Sequence, residues 1–202
     1  MKKSAKYAII DSFKELLNMK SIDKITVKEI CELCDVNRQT FYNYFTDIMD
    51  IFRFIFIEEL SAEIAQNRTF ETWSGGFLAT LNYLKSNSKM IKHIYNSSYW
   101  PDANTLISSL SVRLLDDVVE ECAVKMGVTL KDKDQSFIVN FYRHVFTGLI
   151  IDWVREGMNE EPEIILKKLL LMISGSIPRS VDAFVKEESK SDLKGKCKEH
   201  ER

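Results

Sequence analysis

Proline and glycine are scarce in this sequence, and neither positive nor negative charge is in large excess. The first feature limits the folds that the chain can adopt, and the second limits the partners that it can bind. Only 3 prolines and 7 glycines occur in 202 residues, so long stretches lack the residues that break helices. Lys and Arg number 28 against 30 Asp and Glu, which leaves no broad cationic surface for nonspecific nucleic-acid binding. An all-α protein is predicted, in which any nucleic-acid contact depends on local placement of side chains.

The distribution of apolar residues also predicts no targeting segment and no membrane-spanning segment. The start Met1-Lys2-Lys3-Ser4 leads into no long apolar run before a small-residue cleavage site. Apolar runs elsewhere are too short, or too often interrupted by charge, to span a bilayer. The expected location is therefore the cytoplasm. No internal repeat and no Gly-rich phosphate loop occur, and no cofactor is predicted.

Cysteine is sparse and scattered, at Cys31, Cys34, Cys122 and Cys197. A chain of this length can bury its own core, so a disulfide framework is not expected. Cys31 and Cys34 have the C-x-x-C spacing of zinc and redox sites, but no second pair, no nearby His at ligand spacing and no strand-helix-strand context accompanies them. Packing is favoured over metal or redox chemistry, and no metal site is predicted.

What the first 46 residues do contain is the pattern of three helices. Apolar residues at helical spacing predict an amphipathic helix over residues 3–18. Thr26 and Glu29 have the S/T-x-x-E spacing of a capping box, which predicts that a short second helix starts at Thr26. Asn37 is a good N-cap for a third helix over residues 37–45. This arrangement is the helix-turn-helix plan, whose last helix enters the major groove.

The third predicted helix has an apolar face and a polar face. Phe41 and Phe45 stand four residues apart and point inward together with Ile48. The residues left for other directions are Arg38, Gln39, Thr40, Tyr42 and Tyr44. Arg and Gln match guanine and adenine edges, whereas Thr and Tyr hydroxyls suit phosphate oxygens. A recognition helix is the favoured interpretation, and an ordinary polar helix face is the alternative.

These residues resemble the DNA-binding domain of the tetracycline-repressor (TetR) family. The resemblance covers about the first quarter of the chain and is carried by Thr26-Val27-Lys28-Glu29-Ile30, by residues 34–45 and by Asp47. It implies that Thr26 caps the second helix against a phosphate, that residues 38–40 meet base edges or backbone, and that two tyrosines clamp the backbone. The predicted DNA-binding residues are Thr26, Lys28, Asn37, Arg38, Gln39, Thr40, Tyr42 and Tyr44.

Four positions depart from the family pattern. Asp35 stands at the usual turn glycine and is expected to adopt a left-handed conformation, which Asp tolerates better than most residues. Gln39 replaces a common Gly, Tyr44 a common His and Ile48 a frequent phosphate-binding Lys. Affinity for DNA is therefore expected to depend on residues 37–45 and on dimer geometry more than on general electrostatic attraction.

Residues 47–188 are predicted to form a larger helical effector-binding and dimerisation domain. Residues 47–67 form one long predicted helix, apolar nearly all round, that can act as a lever between the two domains. Further helices are expected over residues 69–86, 89–96, 102–126 and 133–157. A last one is expected from Pro162, in its first turn, to Pro178, which should kink or end the helix. Residues 189–202, rich in Lys, Glu and Ser, are predicted to be a disordered charged tail.

The family resemblance also implies a homodimer. In TetR-family proteins the last two long helices usually pair with their copies in a partner subunit, and the apolar stripes of these helices, together with Gly148, are compatible with such pairing. Residues 141–148, with Asp152-Trp153 and residues 156–158, are similar to a Firmicutes-type subgroup that includes regulators related to dihydroxyacetone-kinase genes. That second similarity is short and does not identify an effector.

The predicted function is that of a dimeric, sequence-specific transcriptional regulator, expected to be a repressor. A small molecule or a partner protein at the C-terminal domain would control its binding to a near-palindromic operator. The candidate effector-binding residues are Trp73, Tyr83, His93, Tyr95, Tyr99, Trp100, Phe141 and His144. Packing in the core or at an interface is the alternative role for each of them.

Two functions of other classes compete with this prediction. An enzyme would have to use His93 or His144 with a carboxylate or with Cys122, but there is no HExxH and no nucleophile elbow, so catalysis is not predicted. The other alternative is a helical protein-interaction module, or a coactivator-dependent activator with weak DNA binding. Specific DNA binding that weakens with rising salt would distinguish the regulator from both.

Overall fold

A computed structural model describes the backbone of residues 4–64 and 69–199 and the side chains of residues 4–60 and 69–190. The described helices are α1 (Ala5–Met19), α2 (Val27–Leu33), α3 (Arg38–Tyr42), α4 (Ile48–Ile64), α5 (Trp73–Ser86), α6 (Ser88–Tyr95), α7 (Trp100–Lys125), α8 (Asp132–Arg155), α9 (Pro162–Ile173) and α10 (Ser176–Glu199), with a short 3-10 turn at Ile22–Lys24. The predicted all-α fold, with a helix-turn-helix unit followed by a larger helical domain, is confirmed.

The N-terminal unit, α1 to α3, is built on side chains that the sequence places at helical spacing. Phe13 of α1, Ile30 of α2 and Phe41 of α3 are fully buried against one another's helices. The capping box predicted at the start of α2 is present: the Glu29 N–H donates to Thr26 Oγ1 at 3.2 Å, and the Thr26 N–H donates to Glu29 Oε2 at 3.0 Å. A cap of this kind stabilises a helix by about 1 kcal/mol.

The turn between α2 and α3 confirms one prediction and corrects another. Asp35 has φ of 52°, the left-handed conformation expected at this position. The third helix, predicted over residues 37–45, ends at Tyr42. The N–H groups of Tyr44 and Phe45 both donate to the Phe41 carbonyl at 3.0 Å in a closing turn. The chain has to turn here because α4 begins only a few residues later, at Ile48.

Helix α4 joins the N-terminal unit to the rest of the chain. Its residues Ile51, Phe52, Ile55 and Phe56 are at most 2% exposed, which explains why its sequence is apolar nearly all round. The predicted end of this helix at residue 67 lies outside the described residues. The N-terminal unit is also held by α6, which packs on α1.

The C-terminal unit, α5 to α10, is centred on the long pair α7 and α8. Gly127 follows α7 with φ of 68° and ends it as predicted. The predicted break at Pro178 was misplaced: the chain breaks at Gly175, with φ of 69°, and Pro178 lies in the first turn of α10. Proline is tolerated there because the first N–H groups of a helix have no partner within the helix.

Helix α10 continues to Glu199, past Ser189, where the sequence predicted a disordered tail. The prediction used the lack of apolar periodicity, but Lys and Glu have high intrinsic helix propensity, so a helix can continue without an apolar stripe. The domain boundaries placed near residues 46 and 188 stay predictions. None of the described helices is both long enough and apolar enough to cross a membrane.

Candidate nucleic-acid interface and apolar cavity

The outer face of α3 carries the exposed polar and aromatic residues of the N-terminal unit. Arg38 and Gln39 are exposed, and the rings of Tyr42 and Tyr44 are 54% and 44% exposed. Phe41 lies between them in sequence but is fully buried, so it fixes the orientation of the helix from below. Thr40 is half-buried at the edge of this face.

Local hydrogen bonds fix the start of α3. The Thr40 N–H donates to Asn37 Oδ1 at 2.7 Å, which makes Asn37 the N-cap of the helix. The Gln39 amide donates to Asn43 Oδ1 at 3.4 Å along the exposed face. Arg38 forms no ion pair with any residue that the structure describes, so its guanidinium retains a full set of donors for an external group.

The side chains of Thr26 and Lys28, at the start of α2, already have partners within the protein. The Thr26 hydroxyl donates to Glu29 Oε2 at 3.1 Å while it accepts from the Glu29 N–H, so only one lone pair remains for an outside donor. The hydrogen bond from Lys20, followed by that from Thr26, lowers the pKa of Glu29. Lys28 is largely exposed, with its ammonium 3.6 Å from Glu32.

Lys6 has a structural role that the sequence did not indicate. Its ammonium lies 3.6 Å from the centroid of the Phe54 ring and 5.9 Å from that of Phe45. A cation over an aromatic face is attracted by about 0.5–1 kcal/mol at an exposed site and by more when desolvated. This contact ties α1 to α4 beside the turn that follows α3.

A partly open cavity of about 100 Å³ lies between α4 and the helices α5, α7 and α8 of the C-terminal unit. Its described lining consists of Phe56, Leu60, Trp73, Gly76, Phe77, Thr80, Leu84, Ile107, Leu110, Ser111, Leu114, Leu115, Val118, Phe146 and Ile150. Three aromatic rings form one wall, with Phe146 stacked on Trp73 at 5.5 Å and tilted against Phe77 at 5.3 Å between ring centroids.

The turn before α5 positions Trp73 in this wall. The Phe70 N–H donates to a Glu121 carboxylate oxygen of α7 at 2.7 Å, and this bond, followed by the one from Lys125, lowers the pKa of Glu121. Lys125 also pairs with Glu71 at 2.8 Å. The entry to α5 is thereby anchored to α7 on one side of the cavity.

The structure does not bring the eight predicted effector-binding residues together. Trp73 alone among them lines the cavity. Tyr95 and Trp100 form an edge-to-face pair at 4.7 Å, and Tyr99 is half-buried beside them in sequence. Phe141 and His144 are exposed on α8, where the His144 ring lies 2.8 Å from an Arg143 nitrogen.

Tyr83 and His93 connect elements instead of lining the cavity. The Tyr83 hydroxyl donates to Glu59 Oε2 at 3.0 Å, and burial, followed by the charge of Glu59, raises the pKa of this phenol. His93 Nδ1 lies 2.6 Å from the Leu17 carbonyl of α1. A second contact between the two units is made by the Ser98 hydroxyl, which donates to Asp23 at 2.6 Å.

Sequence reasoning missed most of the cavity, including Phe56, Phe77, Ser111 and Phe146. One signal was present. Residues 107, 110, 111, 114 and 118 follow helical spacing on α7, and Ser111 interrupts that otherwise apolar stripe. A hydroxyl on an apolar stripe indicates either helix packing or a cavity wall, and the stripe by itself does not distinguish them.

A third notable surface is an apolar face that α8 and α9 leave uncovered. Phe137 and Phe141 of α8 are 64% and 56% exposed, and Leu171 and Met172 of α9 are 79% and 80% exposed. A Cβ added at Gly148 would meet nothing within 4 Å. Phe141 and Met172 line one groove between the two helices, and exposed apolar surface of this kind is typical of an interaction site.

The two cysteines of the C-x-x-C pair are both free thiols. Cys31 is buried, which raises the pKa of its thiol. The Cys34 thiol donates to the Ile30 carbonyl at 3.0 Å within α2. Among the side chains of residues 4–60 and 69–190, nowhere do three or more His, Cys, Asp or Glu gather as metal ligands would.

Comparisons with known proteins agree with this architecture. The "HTH-type dhaKLM operon transcriptional activator DhaS" of Lactococcus lactis subsp. lactis (strain IL1403) is 29% identical over 143 residues, which cover 70% of this chain and 75% of the relative. The solved structure of "Dihydroxyacetone kinase operon activator DhaS" covers 85% of this chain and 95% of its own, with a TM-score of 0.67 and 22% identity. A TetR-family regulator from Streptomyces coelicolor covers 90% and 86%, with a TM-score of 0.53 and 12% identity.

The family model described as "Transcriptional regulator C-terminal region" (TetR_C_8) matches residues 71–175, more than half of the chain. These relatives are transcriptional regulators and not enzymes. The resemblance seen in residues 26–47, and the shorter one to regulators of dihydroxyacetone-kinase genes, are both confirmed. The chain belongs to the TetR family of transcriptional regulators.

Proposed function

We propose that this transcriptional regulator binds a near-palindromic operator as a homodimer, with α3 of each subunit in successive major grooves. The observation that carries the proposal is the exposure of Arg38, Gln39, Tyr42 and Tyr44 on a helix anchored by buried Phe41 in a TetR-family chain. Arg38 suits the O6 and N7 acceptors of guanine, and Gln39 suits the edge of adenine. Each well-formed base contact discriminates by about 1–3 kcal/mol.

The charge distribution favours local readout over general attraction. Residues 1–46 contain 8 Lys or Arg and 6 Asp or Glu, a formal charge of +2, whereas the whole chain carries -2. So small an excess neutralises few phosphates, and the salt dependence of binding should be correspondingly shallow. Hydroxyls of Thr40, Tyr42 and Tyr44, and the Lys28 ammonium, are the proposed backbone contacts.

The uncovered face of α8 and α9 supports the homodimer. Phe141, Leu149 and Met172 contribute to a groove of about 650 Å³ between these helices. Gly148 lies on α8 within the same stretch, where an approaching partner helix would meet no side chain. Isologous pairing would cover both copies of this face at once and set the separation of the two α3 helices.

Control from the C-terminal unit can reach the N-terminal unit through a short series of contacts. Phe56 lines the cavity and packs edge-on against the Tyr83 ring, with centroids 6.3 Å apart. The Tyr83 hydroxyl donates to Glu59, whose other oxygen accepts from Lys14 of α1. We propose that an effector in the cavity shifts α4 and α5 relative to each other, and that this series of contacts moves α1 with them.

Repression is the predicted direction of control, and activation is a second candidate. The support for activation is the L. lactis relative, whose name describes an operon activator. A reporter gene placed downstream of the recovered operator distinguishes the two modes, because repression lowers transcription from it and activation raises it when the protein is expressed.

The decisive experiment is selection of bound sequences from random duplex DNA with the purified chain. A motif with two-fold symmetry is expected, and Arg38→Ala or Gln39→Ala should relax the preference at one position of each half-site. Arg113→Ala, an exposed arginine of α7, is the matched control and should leave the motif unchanged. A selection without any enriched motif would instead favour the helical interaction module.

A further inference from the structure

We propose that the cavity between α4, α5, α7 and α8 binds an uncharged, mainly apolar molecule of about the size of one ring, and that it rejects ionised and polyhydroxylated metabolites. This inference rests on the proposed function, in which an effector acts at the C-terminal unit. It adds the chemical class of that effector.

The charge of the ligand follows from the lining. None of the described residues that line the cavity is charged, and their only side-chain polar groups are the hydroxyls of Thr80 and Ser111 and the indole N–H of Trp73. An ionised phosphate or carboxylate transferred into such surroundings would lose its hydration without gaining a counter-ion. The described lining of this site therefore favours an uncharged effector over a charged one.

The two hydroxyls limit how many polar groups the ligand can carry. Thr80 Oγ1 donates to the Gly76 carbonyl, and Ser111 Oγ donates to the Ile107 carbonyl, each at 2.9 Å. With their protons engaged, the two oxygens can only accept further hydrogen bonds. The site thus suits a ligand with one or two donors, whereas a polyol would bury several hydroxyls without partners.

The size and shape of the cavity indicate a ring or a short branched hydrocarbon. Its volume is about 100 Å³. An engineered apolar cavity of roughly 150 Å³ stays dry and binds benzene. The wall made by Trp73, Phe77 and Phe146 offers both ring faces and ring edges, which favour offset or edge-on contact with another ring.

Four probes applied to the full chain test this assignment: toluene, phenol, benzoate and glycerol. Toluene and phenol should raise the melting temperature with increasing concentration, as any ligand that binds only the folded state does. Isothermal titration calorimetry should show binding of benzoate at least about tenfold weaker than that of toluene, because benzoate has the same ring with a charge added. Glycerol at the same millimolar concentrations should give no titratable heat.

Two serine substitutions on α7 test whether toluene binds in this cavity. Ser111→Leu fills the cavity and should abolish the toluene response. Ser109→Leu makes the same change on the exposed side of the same helix and should retain it. Thr80→Val keeps the shape of the lining while removing one acceptor, so it should weaken phenol several-fold relative to toluene even if Ser111→Leu fails to fold.

The proposal is overturned if benzoate or glycerol binds as well as toluene, if no apolar probe binds, or if the toluene response survives in Ser111→Leu. The outcome is separable from that of the proposed function. Probe binding is measured without DNA, and selection of operator sequences is measured without probes, so either can fail while the other succeeds.

Discussion

The outer face of α3 and the cavity of the C-terminal unit are built in opposite ways. The α3 face is formed by Asn37, Arg38, Gln39, Tyr42 and Tyr44, all within eight positions, and it is polar and exposed. The cavity gathers residues from Phe56 to Ile150 on four helices, and its described lining is almost wholly apolar. A face that binds DNA has to offer hydrogen-bonding groups to water beforehand, whereas a cavity for an apolar molecule has to exclude water.

This contrast separates the two tasks that we propose for the molecule. Exposed polar residues contribute little to folding, so the proposed base preference of α3 could change while Phe41 keeps the helix in place. The cavity residues belong to the core, and changes there alter packing and ligand specificity together. The proposed transmission between the two regions would then depend on the few contacts that join α1 to α4 and α6, and on the Ser98–Asp23 hydrogen bond.

The largest expected effect comes from a substitution at the uncovered α8 and α9 face, on which the proposed homodimer depends. Met172→Glu should convert the dimer to a monomer by sedimentation velocity, because it places a charge in an apolar interface. Operator affinity should fall by on the order of 10²–10⁴, since two half-sites would no longer be bound by linked subunits.

Met19→Glu is the matched control for this prediction. Met19 of α1 is 73% exposed and Met172 is 80% exposed, so the two substitutions change equally accessible methionines. The control variant should remain dimeric. A wild-type protein that is already monomeric at micromolar concentration, or equal loss in both variants, would contradict the homodimer.

Arg38→Ala tests the α3 face alone, and its expected effect on each half-site is smaller than the loss of the dimer. Affinity for the selected operator should fall by about 1–3 kcal/mol for each half-site, roughly fivefold to 150-fold per half-site, because each subunit loses one bidentate base contact. Binding of toluene should be unchanged, since Arg38 lies in the other unit. Gel-shift titrations on the operator and on a scrambled duplex measure the difference, and an equal loss on both sequences would show that Arg38 contacts only the backbone.

The same contrast explains what the sequence could predict. The capping box at Thr26, the left-handed Asp35 and the buried Phe41 are set by neighbours within a few residues, so local patterns indicate them. The end of α3 was missed because it depends on where α4 begins. Six of the predicted effector residues are aromatic, but aromatic character does not reveal which helix faces which, and the structure places Tyr83 and Phe141 outside the cavity.

A third prediction separates the cavity from its effect on DNA. Tyr83→Phe removes the hydroxyl that donates to Glu59, while the ring keeps its packing on Phe56. Toluene binding and operator binding should each stay within about threefold, but the change in operator affinity caused by toluene should shrink by about 0.5–2 kcal/mol. The stability loss should be about 1 kcal/mol, the usual value for one hydrogen bond.

Tyr95→Phe is the control for this coupling experiment. The Tyr95 ring packs on Trp100, and its hydroxyl has no hydrogen bond to any residue in the described part of the chain. The control variant should respond to toluene like the wild type. If toluene changes operator affinity in Tyr83→Phe as much as in the wild type, the hydroxyl does not belong to the proposed series of contacts. A smaller toluene effect in both variants would indicate a general loss of rigidity.

The smallest expected effect concerns the second contact between the units, from Ser98 to Asp23. Hydrogen bonds from Ser98, above all from its hydroxyl, lower the pKa of Asp23 in the folded protein. A carboxyl with a lowered folded pKa contributes stability above its ordinary value of about 4, and that contribution disappears as the pH falls through the lowered value. Ser98→Ala should therefore melt slightly below the wild type at pH 7, and this gap should narrow as the pH falls below about 4. Ser109→Ala, an exposed serine of α7, should follow the wild type throughout. A gap between Ser98→Ala and wild type that persists unchanged at pH 3 would mean that the serine acts by packing, and that the two units are joined at this point without the Asp23 charge.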